Sequence, residues 1–179
     1  MGRYIAFLRG INVGGHQVPM AKLRSELSDL GFTDVESLIN SGNVIFADGS
    51  RRKAATLEKA IESHLRDWLG YDVATFLRTP KEIAAVAECA PFPELPANGT
   101  VHVHFLKAKP PAAVQRDVVA CEAGDDRLAF AGRELYWWCP SKMMDSPVDM
   151  KAVGKLLGGP STSRNITTVR RLAAKYPPG

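Results

Sequence analysis

Two apolar runs, Val35–Ile39 and Val44–Ala47, are separated only by Asn40-Ser41-Gly42-Asn43. So short a break leaves no room for a crossover, so the runs must pair antiparallel as a hairpin, with Gly and Asn supplying the positive φ angles of its turn. The flanking segments then narrow the fold. Upstream lies a strand over about residues 3–9, followed by a helix from near Pro19 to Leu30. Met20, Leu23, Leu27 and Leu30 share one face of that helix, and Gly31 stops it. Downstream, a helix over about 53–69 turns Leu57, Ile61, Leu65 and Trp68 inward, Gly70 ends it, and Asp72–Leu77 reads as a strand. The order is β-α-β-β-α-β, the split βαβ of ferredoxin-like folds. A right-handed crossover makes the first two strands parallel and the third antiparallel to them. The loop after the first strand and the hairpin turn then leave the sheet at the same end.

The rest of the chain has a similar pattern. Thr79-Pro80-Lys81-Glu82 is a capping box that opens a short helix with Ile83, Val86 and Ala87 inward. Pro91–Gly99 breaks all periodicity and reads as a linker. Val101–Leu106 alternates as a strand, Ala112–Cys121 suits a helix, and Leu128–Ala131 with Glu134–Cys139 forms a hairpin around Gly132-Arg133. Ser146-Pro147-Val148-Asp149 starts a further helix carrying Met150, Val153, Leu156 and Leu157 to Gly158-Gly159. A final helix, about Asn165–Lys175, stands where a fourth strand would be expected. The halves match in pattern, with no clear residue-level repeat. The expected architecture is α+β: two ferredoxin-like units in tandem, with antiparallel or mixed sheets and helices on one face. Residues 1–90 form the first unit with its short helix, 91–99 the linker, and 100–179 the second unit with a basic C-terminal helix.

Composition bears on where such a chain works and what it meets. No apolar run reaches the ~18 residues a membrane helix needs, and no charged-then-apolar leader opens the chain. Cys89, Cys121 and Cys139 are far apart and form no CxxC pair, which reads as reduced thiols in a cytoplasmic protein. The net charge is +4, and from Met150 onward the six charged residues, Lys151, Lys155, Arg164, Arg170, Arg171 and Lys175, are all basic. That distribution favours an anionic partner near the C-terminal segment, whereas the plainer account is a solvated helix face.

Arg9-Gly10-Ile11-Asn12-Val13-Gly14-Gly15-His16 is the segment best suited to a ligand. A glycine-rich turn between strand and helix lets the backbone approach closely, and a helix start favours negative charge. Arg9 would anchor an anion, Gly14 and Gly15 would donate backbone N–H groups, and Asn12, Ser41 and Asn43 would read polar groups. The loop is not a phosphate loop of the Gly-Lys-Ser/Thr type, nor does it have dinucleotide-binding spacing, so it implies no cofactor. The bland account is a glycine turn packed on the hairpin. His16 could act as an acid or base, with no neighbouring nucleophile in sequence. His102 and His104 share a strand face but lack a third ligand, so no metal is expected. Tyr136-Trp137-Trp138 point to alternate faces, which suits core packing better than one stacking platform. Arg164 and Asn165 precede the last helix. Asn165 is a good N-cap, and Arg164 could add a second anion contact there.

The stretches "YIAFLRGINVGG", "VPMAKLRSELSDLGFTDVESLINSGNVIF", "RTPKEIA", "VHVHFL" and "TSRNITTVRRL" together resemble the bacterial family known as domain of unknown function 1697, over nearly the whole chain. The family's C-terminal motif reads like Thr-x-Arg-Asn-Trp-Asn-Thr-Val, and this chain has Ile166 and Thr167 in place of its Trp and second Asn. The resemblance implies a bacterial cytosolic protein of this fold and carries no reaction with it. From the residues, the favoured reading is a binder of an anionic ligand (a nucleotide, a phosphorylated metabolite or RNA) at the first loop. The alternatives are a small transferase or hydrolase using His16, and a homodimerising interaction module without a small-molecule site.

Overall fold

The computed structural model describes residues 2–12, 17–39, 42–92, 94 and 98–179. By contacts the chain falls into two units, Met1–Ala84 with Leu172–Gly179, and Ala85–Arg171. The stretch 91–99 falls within the second.

In the first unit β1 (Gly2–Leu8), α1 (Met20–Asp29), β2 (Thr33–Leu38), β3 (Asn43–Asp48), α2 (Ala54–Leu69) and β4 (Thr75–Arg78) follow the expected order. The sheet is four-stranded, in the order β2-β3-β1-β4. Every neighbouring pair is antiparallel, with Phe7 opposite Asn43 and Ile5 opposite Arg78. This is the ferredoxin-like arrangement, with β1 and β2 parallel and separated by β3. On one face Ala6, Leu8, Val44, Phe46 and Leu77 meet Leu23 and Leu27 of α1 and Leu57, Ile61 and Leu65 of α2. Each such side chain, fully buried, contributes about 1.5–3 kcal/mol of transfer free energy. Ile5, Phe7, Ile45 and Phe76, which alternate with these, are buried as well. Strand β3 therefore reads as a continuous apolar run rather than an alternating one, as strands covered on both faces do. The outer N–H groups of β4 are occupied, Thr75's by Glu62 and Leu77's by Glu58, each at 2.8 Å.

Helix α3 (Pro80–Glu88) follows β4 directly. Its capping box forms as expected: Thr79 N–H donates to Glu82 Oε2 at 2.8 Å and Glu82 N–H to Thr79 Oγ1 at 3.2 Å. The second unit then runs β5 (Thr100–Leu106), α4 (Ala112–Val119), β6 (Arg127–Ala131), β7 (Glu134–Cys139), a 3-10 turn at Met143–Asp145, α5 (Met150–Leu157), β8 (Ser161–Asn165) and α6 (Ile166–Lys175). Its sheet order is β6-β7-β5-β8, the same permutation as in the first unit, again with antiparallel neighbours throughout. Leu128, Leu135 and Trp137 pack with Val118 of α4 and Val153 of α5. Asp149 caps α5, accepting from Lys151 and Ala152 N–H.

One sequence expectation is corrected. The place of the fourth strand is filled by a strand, β8, and α6 follows it. Ser-Thr-Ser-Arg-Asn carries no apolar alternation because β8 is an edge strand held by main-chain pairing to β5 (Val103 opposite Arg164), and only Thr162 of its residues is buried. Both sheets are purely antiparallel, so the mixed alternative falls away.

Candidate functional site

At the rim of the first sheet, the loop after β1 and the β2–β3 turn lie side by side. Leu8 N–H donates to the Gly42 carbonyl at 2.9 Å and Arg9 N–H to Ala74 at 2.9 Å. Gly42 has φ +71° and sits so close that a Cβ would come within 3.0 Å of the Leu8 carbonyl oxygen and 3.5 Å of Ile11 Cβ. Gly10 and Asn12 also adopt positive φ, which turns the chain sharply after β1. Asn12 Oδ1 accepts the Val18 N–H and so folds the loop back toward α1. A cavity of about 470 Å³ opens beside Asn12, Gln17, Val18, Pro19 and Met20.

The expected site residues have different fates there. Arg9 is exposed at the rim. Asn43 is fully buried, and its amide donates to the Leu38 carbonyl at 3.2 Å, bracing the hairpin. Gly14, Gly15, His16 and Ser41 lie outside the described residues. Arg164 and Asn165 belong to the second unit. Arg164 is partly buried, and its Nη1 donates to Thr162 Oγ1 at 2.8 Å and to the Ser163 carbonyl at 2.7 Å; burial brings its pKa down to about 10. Asn165 Oδ1 accepts the Thr167 N–H at 2.8 Å, so it does cap α6.

Sequence reading missed a second place in this unit. Asn165, Ile166, Thr167 and Arg170 at the start of α6 form one wall of a cavity of about 350 Å³, with Phe92 and Trp138 also lining it. Gly99 lies against the indole there, where a Cβ would overlap Trp138 Nε1. The signal in the sequence was Gly99 directly before a strand, but its partner Trp138 is far away in the chain.

Sequence reading also missed a correspondence between the units. Arg78 stands opposite Ile5 and Arg164 opposite Val103, each one residue before a helix cap, Thr79 or Asn165. Both guanidinium groups donate to the preceding carbonyl, Arg78 to Leu77 at 2.8 Å and Arg164 to Ser163 at 2.7 Å. Arg78 is fully buried.

The histidines of β5 sit against a core ring. His102 and His104 lie 5.3 and 6.1 Å from the Trp137 ring centroid, and burial lowers both pKa values, His104's to about 4. No metal-binding cluster of His, Cys, Asp and Glu occurs among the described residues, and no helix there is long and apolar enough to cross a membrane. Tyr136, Trp137 and Trp138 are all buried.

The family model for proteins of unknown function known as DUF1697 matches residues 1–136. The chain belongs to the DUF1697 family. The match takes in β1 to α3, with Arg9 and the hairpin, and runs on through the second unit into β7. A solved structure of the conserved bacterial protein SP0830 from Streptococcus pneumoniae is 29% identical to this DUF1697 chain, covers 97% of each chain and superposes with a TM-score of 0.73. That likeness extends over both units. No curated protein matches the chain.

Proposed function

We propose that this DUF1697 protein binds an anionic ligand, a nucleotide, a phosphorylated metabolite or RNA, at the rim of the N-terminal sheet. The observation that carries the reading is the adjacency of the two turns, fixed by the Leu8–Gly42 hydrogen bond, with Arg9 exposed beside them. Chain separated by some thirty residues in sequence is thereby gathered at one edge, where an arginine can make charge-assisted hydrogen bonds and the backbone N–H groups of Gly14 and Gly15 would be further donors. The cavity next to Asn12 and Gln17 gives the ligand body a place to lie. Asn43 and Asn12 act within the loops, so Arg9 supplies the charge, with Gly14, Gly15 and Ser41 as the intended close contacts.

The test is a thermal-shift screen of nucleotides, sugar phosphates and short RNAs, followed by calorimetry. A ligand at 100 times its Kd raises stability by about 2.7 kcal/mol, which a melting curve resolves readily. Arg9→Ala should reduce affinity about tenfold or more while leaving the melting temperature of the free protein unchanged. Absence of stabilisation by every anion, or full retention of affinity in Arg9→Ala, would defeat the reading.

A further inference from the structure

The fourth strands of the two sheets are both edges, and they are finished differently. In the first unit Glu58 and Glu62 of α2 accept the outward N–H groups of Leu77 and Thr75, so those donors of β4 are spent. In the second unit Leu106 N–H points to the hairpin side, where it meets the Arg133 carbonyl. Alternation along β5 then turns Val103 and Phe105 toward their register partners Arg164 and Thr162, and leaves the N–H groups of Ser161 and Ser163 pointing away from the sheet. Both serines are half-buried, and among the described residues no group accepts these two N–H groups. Edge strands are normally blunted by charge or cover, and β8 lacks the seal that β4 has.

The helices account for the difference. Ala55, Glu58, Lys59 and Glu62 share one face of α2, spaced i, i+3, i+4 and i+7, beside the inward row Leu57, Ile61 and Leu65. The same spacing beside Val153 and Leu157, the inward row of α5, selects Lys151, Gly154, Lys155 and Gly158. Glycines stand where the two acids stood. A Cβ on either glycine would meet nothing within 4 Å, so this face adjoins open space, and its two lysines are exposed. Another polar group close by is unmet. His104 stands opposite Ser163, and its buried Nε2 has no hydrogen-bond partner among the described residues. A residue of an added strand opposite Ser163 would fall in that cross-strand row, with only the serine between it and the imidazole.

We infer that the outer edge of β8 receives an extended acidic segment of a protein partner as a fifth strand of the second sheet. Main-chain carbonyls of the segment accept the Ser161 and Ser163 N–H groups, and its acids meet Lys151 and Lys155, with one in the row of Ser163 and His104. Charge selects the partner. From Met150 onward the chain has no acidic residue, so a second copy of β8 laid on this edge would bring like charges together. The edge is independent of the rim of the first unit and stands or falls on its own measurements.

The experiment uses the full chain labelled with nitrogen-15 and an acetylated, amidated peptide of alternating glutamate and valine. Its controls are the same peptide with lysine for glutamate, the fully N-methylated peptide, and a single-stranded oligouridylate. In the free protein the Ser161 and Ser163 amides should exchange with solvent about tenfold faster, or more, than those of Thr75 and Leu77. The acidic peptide should shift both serine amides and the His104 ring nitrogens saturably. The N-methylated form, unable to pair along its backbone, should bind about tenfold more weakly or worse, and the lysine peptide should leave the amides unmoved. Lys151→Glu combined with Lys155→Glu changes only exposed side chains, so it should keep the melting temperature and lose the peptide. Gly154→Glu supplies the acid that the first unit has at Glu58. It should slow exchange at Ser163 and weaken peptide binding about tenfold. Serine amides unmoved by the acidic peptide, equal affinity for the N-methylated or lysine form, tighter binding of the oligouridylate, or a concentration-dependent shift of the same amides without peptide (a second copy on the edge) would each overturn the inference.

Discussion

The two units repeat one arrangement of strands and differ in what they hang from it. Leu8 N–H donates to the Gly42 carbonyl in the first, and Leu106 N–H to the Arg133 carbonyl in the second, so the same strand end meets the same hairpin. The first unit leaves that end through the glycine-rich segment 9–19, the second through Lys107-Ala108-Lys109-Pro110-Pro111. Proline fixes φ and removes donors where glycine frees both. At the opposite end the contrast reverses. Helix α3 closes its own start with Glu82, whereas α6 has no acid in its first turn and keeps its positive end toward a cavity. Helix ends and loops are thus where a duplicated topology is free to diverge, since neither carries the sheet register.

The largest test of this comparison concerns one core position. His104 stands opposite Leu135 and Ser163, and the first unit places Ala6 opposite Val44 and Leu77 at the corresponding point. The His104 ring is buried against Trp137, its Nε2 has no hydrogen-bond partner among the described residues, and burial, with His102 a lesser contributor, lowers its pKa from 6.5 to about 4. A group whose folded pKa is depressed binds more protons when unfolded. Its contribution is therefore whole above pH 6.5, declines as the pH falls toward 4, and is flat below that. The shift corresponds to about 3 kcal/mol at most. His104→Leu should flatten the pH dependence of urea-unfolding stability between pH 6.5 and 4. If the wild type and the variant keep the same slope, His104 is not buried as a neutral ring.

How much of this was readable in advance depended on whether a residue's surroundings are local. The antiparallel pairing of the two apolar runs around Gly42, the Gly31 and Gly70 stops and the Thr79–Glu82 box are settled within a few residues, and the described residues show each of them. Strand β8 was not legible, because Ser161–Asn165 earns its conformation from pairing with β5 rather than from any apolar pattern. Asn165 was read correctly as a cap, and that reading hid the strand immediately before it. The Arg78–Arg164 correspondence escaped because the likeness lies in register, opposite Ile5 and Val103, with little shared sequence around it. At the rim, adjacency of the two turns followed from topology alone, but the inward use of Asn43 by the Leu38 carbonyl did not.

The hairpin glycines sharpen the comparison at the next level. Gly42 and Gly132 both have positive φ, +71° and +62°. At Gly42 a Cβ would press on the Leu8 carbonyl oxygen at 3.0 Å and Leu8 Cβ at 3.3 Å, whereas at Gly132 it would meet only Glu134 Oε2 at 3.4 Å, the end of a flexible side chain. Gly132→Ala should cost about 1 kcal/mol for the left-handed backbone alone. Gly42→Ala adds a clash that main chain cannot yield to, for a total of about 2–3 kcal/mol. Equal losses in chemical denaturation would mean that the first loop is not packed on its hairpin.

The smallest effect concerns the C-terminal segment, Leu172–Gly179, that groups with the first unit by contacts. Lys175 Nζ donates to Glu36 Oε2 at 2.9 Å and Tyr176 Oη to the same oxygen at 2.8 Å, tying the end of α6 to edge strand β2. These hydrogen bonds, Lys175's foremost, hold the Glu36 carboxyl below its ordinary pKa of 4.5. A depressed carboxylate contributes above its unfolded pKa and loses that contribution as the pH falls through its folded value, so the tie should weaken only below about pH 4.5. Both members of the ion pair are half exposed, which limits it to about 0.2–1 kcal/mol and makes it sensitive to salt. Glu36→Gln keeps an acceptor for Tyr176 and removes the charge. It should therefore lower stability by less than 1 kcal/mol at neutral pH, with the difference shrinking in molar salt and vanishing in acid. A loss of several kcal/mol that ignored salt would mean that the segment is held through the Tyr176 hydroxyl and its burial, and that the lysine charge is incidental.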